Sequence, residues 1–174
     1  MTGLPPATSA VTIGPAGAAH WPQIEELLRG RALPLEGAKE HLGDFLVALD
    51  SGRVVGTAAL EVYGSHGLLR SVAVREEVAG RGLGAQLLRA VLARAGSLGL
   101  SELYLLTTTA ADYFERHGFQ RIASSELPST LSGTAELRGA CPASATAMRL
   151  APVVRAPGSP RSGAEGSGSE DLVR

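Results

Sequence analysis

The segment Ala79-Gly80-Arg81-Gly82-Leu83-Gly84-Ala85 sets three glycines at alternate positions, directly before a run of Ala, Leu and Arg. Glycine is unfavourable at a helix start unless the backbone needs a special conformation or a ligand must come close. A helix N-terminus carries free N–H groups and a partial positive charge, so such a turn suits an anion, phosphate above all. A tight structural connection is the alternative. Two familiar phosphate loops do not fit. The Gly-Lys-Ser/Thr of triphosphate sites is absent, and G-x-G-x-G followed by Ala85 departs from the G-x-G-x-x-G of dinucleotide sites.

Other polar groups stand in apolar settings. Glu61 lies in the apolar stretch RVVGTAALEVYG (53–64), and Arg70 interrupts LLRSVAV (68–74). A guanidinium at position 70 could clamp a carboxylate or another oxyanion through two hydrogen bonds, or be held in an ion pair. Ser71 would face away from Arg70 unless a bulge intervenes. Thr107, Thr108 and Thr109 end an apolar run. Thr107 and Thr108 are candidates for substrate contact, and Thr109 for capping the helix that follows. Tyr113 offers a phenol, with packing as the alternative. His117 beside Gly118 suits a helix end. The remaining histidines, His20, His41 and His66, are too scattered to suggest a metal set, so none is expected. Cys141 is the single cysteine, which excludes an intrachain disulfide and a multi-thiolate centre.

Periodicity supplies the elements that hold these groups. AVTI (10–13) reads as a strand, and HWPQIEELLRGRAL (20–33) as a helix with Ile24, Leu27 and Leu28 on one face. A short second helix is expected over LEGAKEHLG (35–43). Strands over 44–50, 53–64 and 68–74 form a meander with turns at Ser51-Gly52 and Gly64 to Gly67. Val55, Thr57, Ala59, Glu61 and Tyr63 should share one face of the second of these strands. Leu83, Leu87, Leu88, Val91, Leu92 and Ala95 then follow a 3.6-residue period, so a helix begins near Gly82–Leu83. A buried strand over 101–108, a short helix over 110–118 capped by Gly118, and strands over 119–123 and 145–150 complete the pattern. The centre is a strand–helix–strand crossover.

Charge and composition narrow the class. Sixteen basic and seventeen acidic residues give a net charge of −1, which offers no general attraction for nucleic acid or membrane. No apolar run reaches the roughly 18 residues of a membrane span, and a secretory signal pattern is lacking, so a cytoplasmic location is expected. Residues 1–9 are rich in Pro, Ala, Ser and Thr. Residues 151–174 are rich in Gly, Pro, Ser and charge. Both ends are expected to be disordered around one folded unit over 10–150.

Together LLRSVAV, REEVA and GRGLGAQLL resemble the central motif of the GCN5-related N-acetyltransferases (GNAT), where Arg/Gln-x-x-Gly-x-Gly/Ala follows a strand ending in Ala-Val. YFERHGF is similar to that family's FYEKLGF. The resemblance covers residues 10–150. It implies an α/β GNAT fold: a mixed central sheet splayed at its fourth and fifth strands, with helices on both faces. It implies acetyl-CoA as co-substrate, with the pyrophosphate held by Ala79, Gly80, Arg81, Gly82, Leu83 and Gly84. The backbone of Val72 and Val74 would meet the pantetheine arm and the thioester oxygen. Glu61 would bind or deprotonate an amine, Tyr113 would be the candidate acid, and Arg70, Thr107 and Thr108 would meet a small-molecule acceptor. A homodimer is left open.

Two positions depart from the family pattern. Ala79 stands where Arg or Gln is usual, and Phe114 stands where many members carry an acidic tyrosine. Longer stretches look like the arsenic-resistance N-acetyltransferase branch. LLTTTA, YFERHGF and ELP are also similar to the acetyltransferase domain of N-acetylglutamate synthase. That domain's Tyr-Asn-Tyr-Gln-Arg-x-Ser-Lys ending is replaced here by ACPASATAM. The resemblance implies acetylation of the amino group of a small amino-acid-like molecule, a glutamate-like arsenical or glutamate itself. A catalytically silent acyl-CoA-binding module is the competing reading.

Overall fold

A computed structural model of the protein describes residues 10–153. The expected disorder of residues 1–9 and of the tail beyond 153 lies outside the described residues. Seven strands form one sheet: β1 (Thr12–Pro15), β2 (Phe45–Asp50), β3 (Arg53–Tyr63), β4 (His66–Val74), β5 (Glu102–Thr107), β6 (Gln120–Ile122) and β7 (Thr146–Leu150). Their spatial order is β1-β2-β3-β4-β5-β7-β6, and every neighbouring pair is antiparallel except β4/β5. Three helices pack on it: α1 (Trp21–Gly30), α2 (Leu83–Ser97) and α3 (Ala111–Glu115). This is the mixed α/β architecture expected, with helices on both faces. No described helix is long and apolar enough to cross a membrane.

The apolar stripes decide which helix takes which face. Ile24, Leu27 and Leu28 of α1 are buried against Phe45, Val47, Val54, Ala59 and Ala73. Leu83, Leu87, Leu88, Val91 and Ala95 of α2 are buried on the other face, against Val55, Ala58, Leu60, Leu69 and Leu105. The short turns after β6 close the α1 side, where Leu131 packs with Leu68 and Tyr104.

Three sequence expectations change. The second helix over 35–43 does not form. That stretch is a series of turns ending in a 3₁₀ turn, Leu42–Asp44, and Gly37 sits at φ +72°, outside the helical region. Val55 leaves the face of Thr57, Ala59 and Glu61. β2 pairs Ala48 with Gly56 but Leu49 with Val54, so Val55 is an extra residue that reverses the alternation. The folded unit also runs past residue 150: the Val153 N–H donates to the Ser101 carbonyl, and its side chain joins the α2-side core.

β4 and β5 are paired only through His66/Glu102, Gly67/Leu103 and Leu68/Tyr104. Beyond Leu68 and Tyr104 the ladder ends, and the two strands part. That parting is the structural basis of the groove described next.

Candidate active site

A groove of about 1470 Å³ enters the sheet between the parted strands. Leu69–Val74 of β4 form one wall, and Leu105–Thr107 of β5 with Thr108 and Thr109 after it form the other. One end is closed by the turn before α2, with Ala79, Gly80, Gly82, Leu83 and Gly84 in its wall. The opposite end is closed by Arg29–Glu36, the end of α1 and the loop after it, and by Glu136, Cys141 and Pro142 from the segment between β6 and β7.

Gly82 is the N-cap of α2 at φ +78°, φ/ψ values that only glycine holds without strain. An added Cβ would meet nothing within 4 Å, so the backbone angle rather than crowding calls for glycine here. The Gln86 N–H is bonded to the Gly82 carbonyl, and the N–H groups before it, at Leu83 to Ala85, have no carbonyl one helical turn behind them to accept. With the helix dipole these make an anion-seeking end. Val72, Val74, Ala79, Gly80, Gly82, Leu83 and Gly84 therefore come together along the groove. Arg81 does not: it is exposed and stands outside the groove wall.

Gly84 meets the groove's phenol. A Cβ on Gly84 would lie 3.1 Å from the Tyr113 hydroxyl, so the absent side chain makes room for the tyrosine. The Tyr113 hydroxyl is buried and has no hydrogen-bond partner among the described residues. Burial raises its pKa and outweighs the opposing charge of Arg116, so the phenol is a neutral donor. Phe114 packs edge-on to both Tyr113 and Phe119 and belongs to the core.

The substrate-side candidates are rearranged more strongly. Arg70 borders the groove, yet its guanidinium is not vacant. It meets Glu61 at 3.0 Å and Glu136 at 3.2 Å, donates to the Glu36 carbonyl at 2.8 Å, and lies 3.4 Å from the Ser71 hydroxyl. Its side chain is 1 % exposed. The free oxyanion clamp expected at Arg70 is thus corrected to a guanidinium already gripped by two carboxylates of its own chain. Glu61 is likewise 1 % exposed and does not border the groove. One of its oxygens faces Arg70, and the other accepts from the Tyr63 hydroxyl at 2.5 Å. Its expected place beside the groove is corrected to a buried position behind Arg70.

The bulge left open for Ser71 does intervene, which brings its hydroxyl to the Arg70 side. Thr107 and Thr108 border the groove together with Thr109. Thr107, not Thr109, makes the turn bond, accepting from the Ala110 N–H at 3.0 Å.

Glu136 was invisible to sequence reasoning. It sits in a π-type turn, Glu136–Ala140, in a stretch without periodicity, and no local signal ties it to Arg70, 66 positions earlier. Its second oxygen accepts from the Cys141 thiol. Burial, the hydrogen bond and the charge of Glu136 push that thiol up to about 12, so Cys141 is a neutral donor rather than a nucleophile. Burial and Glu61 also push the Tyr63 hydroxyl up. The cluster holds two carboxylates and one guanidinium, with neutral donors closing its two ends.

A family model described as an acetyltransferase (GNAT) domain matches residues 41–121. An uncharacterised N-acetyltransferase of Chlorobaculum tepidum is 32 % identical over 123 residues, covering 70 % of this chain and 73 % of that protein. The chain belongs to the GNAT acetyltransferase family. Within that family it is 29 % identical, over 129 residues, to an amino-acid acetyltransferase of Neisseria meningitidis serogroup A. That match takes in 69 % of this chain and 30 % of the relative, so the chain spans about a third of the relative's length. An N-acetylglutamate synthase from Neisseria gonorrhoeae, solved with coenzyme A and N-acetyl-glutamate, superimposes with a TM-score of 0.73 at 25 % identity, covering 84 % of this chain and 36 % of that one. The ribosomal-protein-S18-alanine N-acetyltransferase of Escherichia coli shares the GNAT fold, with a TM-score of 0.65 at 19 % identity over 84 % of this chain and 96 % of that one. The matched span 41–121 contains β4, the glycine turn, β5 and α3. The far walls of the groove, Arg29–Glu36 and Glu136–Pro142, lie outside it.

Proposed function

We propose that this GNAT chain transfers the acetyl group of acetyl-CoA to the amino group of a small amino-acid-like acceptor. The observation that carries this reading is the opening between β4 and β5, which leads from the dipole-positive end of α2 to a buried charged cluster. The residues fit the co-substrate. The first-turn N–H groups of α2, with Ala79, Gly80, Gly82, Leu83 and Gly84, suit the pyrophosphate. The Val72 and Val74 backbone suits the pantetheine arm, and the Tyr113 hydroxyl beside Gly84 suits the pyrophosphate end. Arg81 contributes long-range charge only. Acetyl-CoA supplies an activated acyl carbon.

The chain's own contribution is to hold the two reactants in line in one groove, which can supply much of the rate. The bulged strand presents backbone N–H groups where negative charge develops. As the amine nitrogen bonds to the acyl carbon and the C–S bond breaks, the proton the amine loses is available to the leaving thiolate. Thr107, Thr108 and Glu136 border the acceptor end, and Glu61 and Arg70 set the position of Glu136 from behind. The amino-acid class rests on the resemblance to amino-acid acetyltransferases. The glutamate-like arsenical rests on the arsenic-branch resemblance alone.

The test is release of the coenzyme A thiol from acetyl-CoA with a panel of amines: glutamate, neutral and basic amino acids, and an arsinothricin-like arsenical. Turnover with any amino acid supports the reading, and the best acceptor assigns the branch. Tight acetyl-CoA binding with no turnover on any amine overturns it in favour of a silent acyl-CoA-binding module.

A further inference from the structure

The register of β3 against β4 slips at one point. Thr57 pairs with Ala73 and Ala59 with Arg70, so Ala58 alone faces both Ser71 and Val72. Ser71 stands at φ +55°, a left-handed conformation that a serine adopts only when its surroundings impose it. Arg70 meets the Ser71 hydroxyl, but the group that meets the Ser71 backbone comes from β3. Thr57 is fully buried in a stretch otherwise made of Val54, Val55, Ala58, Ala59 and Leu60. Its hydroxyl donates to the Ser71 carbonyl at 2.8 Å. A buried hydroxyl needs a partner, and the bulge turns this carbonyl to meet it.

The consequence follows from the planar trans peptide. The C=O of one residue and the N–H of the next point in opposite directions. With the Ser71 carbonyl drawn to Thr57 on β3, the Val72 N–H is directed away from β3. That is the side where the β4/β5 ladder has already ended, and Val72 borders the groove there.

We propose that Thr57 is a positioning residue for acetyl transfer: its hydroxyl latches the Ser71–Val72 peptide so that the Val72 N–H faces the groove, where it can meet the thioester oxygen. The inference rests on the acetyltransferase reading above. Thr57 itself touches neither reactant, being packed inside the sheet.

Thr57→Val keeps the shape and removes the donor, and Thr57→Ser keeps the donor. The expected result is a fall in kcat of roughly ten- to a hundredfold for Thr57→Val, with the KM for acetyl-CoA within about twofold and kcat largely restored in Thr57→Ser. Wild-type kcat in Thr57→Val, or an equal loss in Thr57→Ser, overturns the proposal. Should Thr57→Val not fold, Thr57→Cys, with a weak donor, is read against Thr57→Ser by the same criteria. If the wild type turns over no amine, the acetyltransferase reading fails, and the latch is read separately from the Val72 amide resonance on adding acetyl-CoA. A shift retained in Thr57→Ser and lost in Thr57→Val supports the latch; an equal shift in both overturns it.

Discussion

At the scale of single residues, hydrogen-bonding state assigns the roles. Tyr113 and Cys141 both border the groove and both are neutral donors, but the thiol is already committed to Glu136 while the phenol has no partner. Tyr113→Phe should therefore fold at least as well as the wild type, because it deletes a buried hydroxyl with no hydrogen bond to lose. With its oxygen beside Gly84, the phenol faces the pyrophosphate end, so the same variant should raise the KM for acetyl-CoA more than it lowers kcat. Chemical denaturation and steady-state kinetics on one preparation check both halves.

Cys141 gives the pH prediction. Its folded pKa is raised to about 12. The neutral thiol is thus favoured by folding, and the resulting stability is present below the unfolded pKa of about 8.5 and lost as pH rises toward 12. Alkylation near pH 8.5 should be slower in the folded protein than in denaturant by on the order of a thousandfold. Glu136→Gln removes a charge that raises this pKa, so alkylation should speed up. A folded-state rate equal to the denatured one contradicts the assignment.

At the scale of elements, the glycine turn and the bulged strand shape the groove from two sides. Gly82→Ala forces a side chain into left-handed backbone with open space around it, so the expected cost is conformational, about 1–2 kcal/mol. Relaxation of the turn would misdirect the first-turn N–H groups of α2. Calorimetric titration should show weaker acetyl-CoA binding in a protein that still unfolds cooperatively, and unaltered binding would remove the turn from the pyrophosphate site. The spacing of Leu83, Leu87, Leu88 and Val91 was enough to locate α2, because its stripe is buried along its length. No such stripe runs through 35–43, where Gly37 and the turns around it replace the expected helix and the Glu36 carbonyl accepts from Arg70.

For the whole molecule, the cluster of Glu61, Arg70 and Glu136 joins the middle of the sheet to the segment between β6 and β7. Arg70→Ala would leave two buried carboxylates without their cation, and the expected destabilisation is about 3–5 kcal/mol in denaturant unfolding. Glu136→Gln leaves the Arg70–Glu61 pair intact and should cost distinctly less. Equal stability of Arg70→Ala and wild type would show that the cluster contributes nothing to holding the fold.

The sequence alone determined the strand–helix–strand centre and the glycine turn, because those features are local: a 3.6-residue stripe, a G-x-G-x-G spacing, an apolar strand; the family resemblance supplied the cofactor. The tertiary structure decided the end of the groove at Arg70 and Glu136. Whether Arg70 is free or occupied depends on Glu61 in the neighbouring strand and on Glu136, which is distant along the chain and reaches it through an irregular turn. Whether Thr57 is one more strand residue or the holder of a bulge depends on a register slip in the neighbouring strand. Pairing across a sheet and ion pairs between distant segments leave no period in the chain, so only the folded molecule could assign them.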